Sequence, residues 1–121
     1  WPVQGPVLLR FGPGKGGYLN DGINISAAEG TPIMAAAAGK VVYAGNELRG
    51  YGNLLIIKHE NGWLTAYAHQ NDMLVKKGDK VTQGQTIGHV GTTGNVNTPQ
   101  LHFGIRDGKN AMNPEDYLPK G

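Results

Sequence analysis

The apolar positions of this chain fall in short runs, most alternating with polar ones and closed off by glycine, proline or asparagine. Ile23 and Ile25 flank Asn24, and Leu101, Phe103 and Ile105 alternate with Gln100, His102 and Gly104. A period of two marks strands, because successive side chains of an extended backbone leave on opposite sides. The pattern predicts strands over 7–11, 23–25, 40–44, 54–59, 63–69 and 100–106. Shorter strand, glycine turn and strand units follow over 75–81 and 84–88. Asn61-Gly62 between two of these runs is a strong hairpin signal, since both residues tolerate positive φ. The run 32–37 is rich in alanine, but Pro32 and Gly39 leave too little length for a stable helix, so it reads as a buried strand. The stretch Gly12 to Gly17 reads as a loop, and Asn113 as the cap of a terminal turn with Pro114 at its first position. In the second hairpin strand, alternation assigns Leu64, Ala66 and Ala68 to the core. Trp63, Thr65, Tyr67 and His69 go to the opposite face.

Composition narrows this picture. The chain has 121 residues and 39% apolar content, enough for one core, and no linker or repeat divides it. We therefore expect one domain over 1–121, all-β and mostly antiparallel, of small barrel-like or β-sandwich form. A formal charge of +2 with 17% charged residues lacks the concentrated basic footprint of a nucleic-acid binder. The absence of cysteine excludes disulfides and thiolate metal sites. No apolar run approaches the roughly 20 residues of a membrane span. The opening at Trp1, without an initiator Met or a signal-peptide pattern, makes the C-terminal part of a longer protein the expectation. Lys76, Lys77 and Lys80 lie at turns and read as solvated.

Candidate chemistry centres on two histidines, His69 and His102, which alternation turns away from the core on separate strands. A lone strand histidine is usually structural, and His59 and His89 are read that way.

Several segments share an order with one family. Gly22-Ile23-Asn24-Ile25, Gly30-Thr31-Pro32, Gly39 to Gly45, Gly50-Tyr51-Gly52-Asn53, Tyr67-Ala68-His69, Gly78 to Val81 and Leu101-His102-Phe103 resemble the LytM or lysostaphin-like zinc peptidases over nearly the whole chain. The resemblance implies an open groove in a LytM-type domain. It also implies metal positions at Asn20, Asn24 and His102, and catalytic-histidine positions at His69 and Gln100. Zinc takes imidazole, thiolate or carboxylate, and a neutral amide oxygen is a poor substitute. If a structural zinc is worth roughly 10–16 kcal/mol across its ligands, the one remaining imidazole keeps about 3–4 kcal/mol, a millimolar affinity. The expectation is therefore no metal, no cofactor and no peptidase activity.

Asn20, Asn24, Gln100 and His102 are left either as a polar network holding the groove walls or as direct ligand contacts. Asp21, out of register with the family position, reads as a loop cap. The resemblance is to the noncatalytic subset, which implies a periplasmic or cell-envelope domain that binds and activates peptidoglycan amidases or other wall hydrolases in wall remodelling and cell division. The partner groove is expected at Tyr67, His69, Gln100 and His102, with Arg49 and Tyr51 at its rim. The alternatives are a peptidoglycan-binding module without a partner enzyme and an active zinc endopeptidase. A carrier domain is weaker still: 75–88 resembles a lipoyl half-barrel but displays no carrier lysine.

Overall fold

The computed structural model describes residues 1–13, 19–48 and 50–119. Twelve strands and one short 3-10 turn account for the regular structure among them, and every strand pair is antiparallel. This is the all-β architecture the alternation predicts.

The strands that position the site are β4 (Ile23–Ser26), β7 (Asn53–Lys58), β8 (Leu64–Met73) and β11 (Gln100–Arg106). The main sheet runs β1 (Val7–Leu9), β4, β11, β8, β7, β6 (Gly39–Gly45), β9 (Lys80–Val81). Off that path, β10 (Thr86–Val90) joins β8 to β5 (Pro32–Met34), and β12 (Ala111–Met112) adds to β11. A separate pair joins β2 (Gly12–Pro13) to β3 (Leu19–Asn20).

Register explains what this sheet presents. Ile23 pairs with Phe103, Phe103 with Tyr67, and Tyr67 with Leu55, so one row of fully buried side chains crosses four strands. The Tyr67 and Phe103 rings lie 5.3 Å apart in a tilted contact. Each such side chain contributes roughly 1.5–3 kcal/mol by leaving water. The next row, on the other face of the sheet, is Asn24, His102 and Ala68. Alternation in β4 and β11 thus sorts apolar from polar residues as expected, with Leu101, Phe103 and Ile105 inside.

Several expectations need correction. Thr65 and Tyr67 are core residues, 5% and 0% exposed, while Leu64 and Ala66 are only half-buried. Cross-strand partners share a face, and the partner of Tyr67 is Phe103, so the larger ring wins the interior. Gly12 and Pro13 form strand β2 rather than a loop, because Gly12 at φ +101 lets the backbone pair with Asn20. Residues 14–17 of that expected loop lie outside the described residues. The alanine run is strand only to Met34; Ala35 is buried and the chain then bends.

The hairpin stands as expected, but of its two turn residues Gly62 alone takes positive φ. Gly62 takes φ +85, its N–H donates to His59 O at 2.9 Å, and Asn61 Oδ1 accepts from Trp63 N–H. The cap at Asn113 also stands: its Oδ1 accepts from Glu115 N–H at the start of the turn Pro114–Asp116.

Candidate functional site

A groove of about 740 Å³ opens on the polar face of the sheet, with Asn24, His69, Gln100 and His102 in its wall. Asn20 and Asn24 are four residues apart, which in a straight strand would be about 13 Å. The chain reverses between β3 and β4 instead, and Asn20 Nδ2 donates to Asn24 Oδ1 at 3.2 Å. Gly22 makes the reversal possible: a Cβ there would lie 2.4 Å from Phe103 O and 3.0 Å from His102 Nε2.

From Asn24 the hydrogen bonds run in one direction. Its Oδ1 also accepts from His102 Nδ1 at 2.9 Å, and its Nδ2 donates to Gln100 Oε1 at 2.8 Å. Gln100 Nε2 in turn donates to Thr98 O and Oγ1. The other ring nitrogen of His102, Nε2, pairs with Asp21 Oδ1 at 3.1 Å. That hydrogen bond is the main reason the Asp21 carboxyl sits below its ordinary range, against the opposing effect of burial. Asn20 Oδ1 is buried without a partner.

His69 reaches the groove by a different device. Between the pairs Asn53 with Gln70 and Leu55 with Tyr67, β8 carries one residue more than β7, and His69 there has φ +66. It is the one non-glycine residue with positive φ among the described residues. A bulge of this kind re-aims a side chain, and it returns His69 to the face of His102, with ring centroids 6.3 Å apart. Its backbone N–H leaves the ladder for Tyr51 O, and ring Nδ1 donates to Thr93 O at 2.8 Å. Burial pushes the His69 imidazole below its ordinary pKa, so the neutral ring with the hydrogen on Nδ1 is favoured.

The expected site residues divide accordingly. Asn24, His69, Gln100 and His102 converge on the groove, Tyr51 joins them with its ring 6.0 Å from that of His102, and Asn20 lies buried behind Asn24. Tyr67 does not belong to it. Its hydroxyl points the other way, accepting from Ala36 N–H and bonding Thr65 Oγ1. Arg49 lies outside the described residues.

Asp21 is a groove residue that sequence reasoning assigned to its loop, although a carboxylate between Asn20 and Gly22 was the available signal. Thr93, which anchors His69, had no signal in local pattern.

The residues present do not suit zinc. Asn20 and Asn24 supply neutral amides, and both ring nitrogens of His102 already pair with protein oxygens, of Asn24 and of Asp21. Among the described residues no three His, Cys, Asp or Glu side chains are placed to share an ion.

Comparison with known proteins fits this geometry. The model of peptidase family M23 matches residues 18–114. The chain is 50% identical over 120 residues to the murein hydrolase activator NlpD of Escherichia coli, covering 99% of this chain and 31% of that protein. It is 44% identical over 126 residues to the cell division protein DipM of Caulobacter vibrioides, covering 99% and 21%. It is 51% identical over 119 residues to the lipoprotein YgeR of Escherichia coli, covering 98% and 46%. The chain therefore spans less than half the length of these relatives. Among solved structures, the catalytic domain of lysostaphin from Staphylococcus simulans superposes with a TM-score of 0.84 at 32% identity, covering 93% of this chain and 90% of that one.

Proposed function

Because the chain belongs to peptidase family M23, we propose that it is a noncatalytic member that binds and activates a peptidoglycan hydrolase, an amidase, in the cell envelope during wall remodelling and division. The observation that carries this reading is the closed hydrogen-bond network over the family's metal positions, Asn20, Asn24 and His102. A peptidase needs those side chains to face an ion, which polarises the scissile carbonyl and lowers the pKa of bound water. Here they face one another. Gln100, at the position of a catalytic histidine, has an amide with no proton-transfer chemistry near neutral pH. What remains is a preformed groove of about 740 Å³ with mixed polar and apolar walls, including Leu9 and Leu19, suited to holding a partner segment. The names of the relatives, a murein hydrolase activator and a cell division protein, point the same way.

The test adds the purified domain to envelope amidases acting on dye-labelled wall sacculi. Dye release that rises and saturates with domain concentration is the expected result, together with no stoichiometric zinc. Chelator-sensitive digestion by the domain alone, with close to one zinc per chain, would overturn the proposal, as would amidase rates that ignore the domain.

A further inference from the structure

A second hollow, of about 340 Å³, opens on the other side of the sheet from the groove. Phe103 and Ile105 line it, whereas their neighbour His102 lines the groove. We propose that this hollow binds the N-acetylhexosamine ring of a β-linked glycan. The proposal requires no role for the groove.

Aromatic surface is the first argument. Trp1, Trp63 and Tyr117 all line the hollow, and the Trp63 and Tyr117 rings meet edge to face at 82° with centroids 5.0 Å apart. Trp1 is held by its indole N–H donating to Pro119 O at 2.6 Å. Rings fixed in this way lose little entropy on binding, and an aromatic face suits the C–H face of a pyranose, which is apolar while its edges are polar.

Charge is the second. No Asp, Glu, Lys or Arg side chain lines the hollow, so it supplies no counter-charge for an ionic ligand. The polar groups at its mouth are neutral amides. Gln83 is exposed and its side chain has no hydrogen-bond partner among the described residues. Asn61 uses its Oδ1 for Trp63 N–H and keeps both Nδ2 hydrogens for a ligand.

The floor is the third, and it selects the substituent. Tyr67 Oη accepts from Ala36 N–H and passes its hydrogen to Thr65 Oγ1, which passes its own to His59 Nε2; His59 Nδ1 donates to Ala38 O. That chain starts and ends on backbone atoms and leaves no N–H or O–H donor unspent. The deepest part of a ligand therefore meets no free donor for an acceptor of its own, which suits an apolar end, while the neutral amides of the rim suit amide and hydroxyl groups. An acetamido group has that form, with a methyl end and an amide that Asn61 and Gln83 can pair.

The test follows the tryptophan indole and Asn and Gln side-chain signals of the purified domain by NMR while N-acetylchitotetraose is added. Cellotetraose, with the same linkage and no acetamido group, is the control, and peptide-free wall glycan strands form a further arm. Chitotetraose should shift the Trp1 and Trp63 indole signals and the Gln83 amide, leaving the His102 ring signals in place. Gln83→Ala, at an exposed and unbonded side chain, should weaken binding about tenfold, as expected for one lost hydrogen-bonding anchor. Glycan strands that act like chitotetraose identify the wall as the source; strands that stay silent while chitotetraose binds identify a free oligosaccharide. Silent indole signals, an equal response to cellotetraose, or shifts confined to the groove would overturn the proposal.

Discussion

Tyr67 and His69 are two positions apart in one strand, yet their side chains have unrelated work. Tyr67 is fully buried, its phenol is pushed up to about 12 by desolvation, and its hydroxyl sits mid-chain between Ala36 N–H and Thr65. Tyr67→Ala should then cost about 3–5 kcal/mol in denaturant unfolding, since it removes a large core ring. Thr65→Val should cost about 1–3 kcal/mol by leaving the Tyr67 hydrogen without an acceptor. A Tyr67→Ala protein with wild-type stability would return that residue to the groove. His69 has the opposite sensitivity, to pH. Its folded pKa lies below the ordinary 6.5, so as pH falls through that value the unfolded chain takes up a proton that the folded ring refuses. Stability should accordingly rise with pH from the lowered folded value up to about 6.5, and His69→Gln should flatten that limb in melting curves. Asp21 adds to the same trend further down: its pKa is lowered from 3.8, so its contribution is present above that value and lost as pH falls through the folded one.

At the scale of elements, the reversal between β3 and β4 is what brings Asn20 to Asn24 and so to His102. Asn20 and Asn24 lie within hydrogen-bond distance, and Asn24 pairs with His102 across the sheet, so the backbone frame holds the three side chains within reach of one another. Replacing the donors together, as Asn20→His, Asn24→Asp and Gln100→His, should restore zinc binding, read by calorimetry at micromolar metal. A triple variant indifferent to zinc would show that the frame has drifted. Gly22→Ala in the same background should abolish the gain, because the added Cβ would meet Phe103 O at 2.4 Å and push on His102. The hairpin and the strands β4 and β11 were legible in the sequence because their period-two pattern is local. The bulge at His69 was not, since an extra residue in β8 is defined only against the register of β7.

The molecule as a whole offers its neighbours distinct surfaces: the groove, the aromatic hollow, and the exposed lysines Lys76, Lys77 and Lys80. Interface energy concentrates in partly buried aromatic anchors rather than in exposed charges. Tyr51, half-buried in the groove with its ring against His102, has the form of such an anchor. Tyr51→Ala should weaken a cognate amidase about thirtyfold or more at unchanged melting temperature, the equivalent of about 2 kcal/mol. Exchanging the three lysines for serine should leave stimulation nearly intact in a binding titration. The reverse outcome would move the interface to the basic turns.

The sequence by itself determined which side chains could be donors and which strands would alternate. With Asn at positions 20 and 24 and Gln at 100, those positions offer only neutral amides in any packing, because chemical identity does not depend on packing. It likewise assigned Leu101, Phe103 and Ile105 to one face and His102 to the other. Tertiary structure decided the rest. Which face of β8 is interior follows from its pairing with Phe103, and the return of His69 follows from one unpaired residue. The engagement of Asp21 by His102 spans 81 positions, and the hollow joins residues as distant as Trp1, Trp63 and Tyr117. Such contacts have no local period to read, since they arise when separate strands come to register in one sheet.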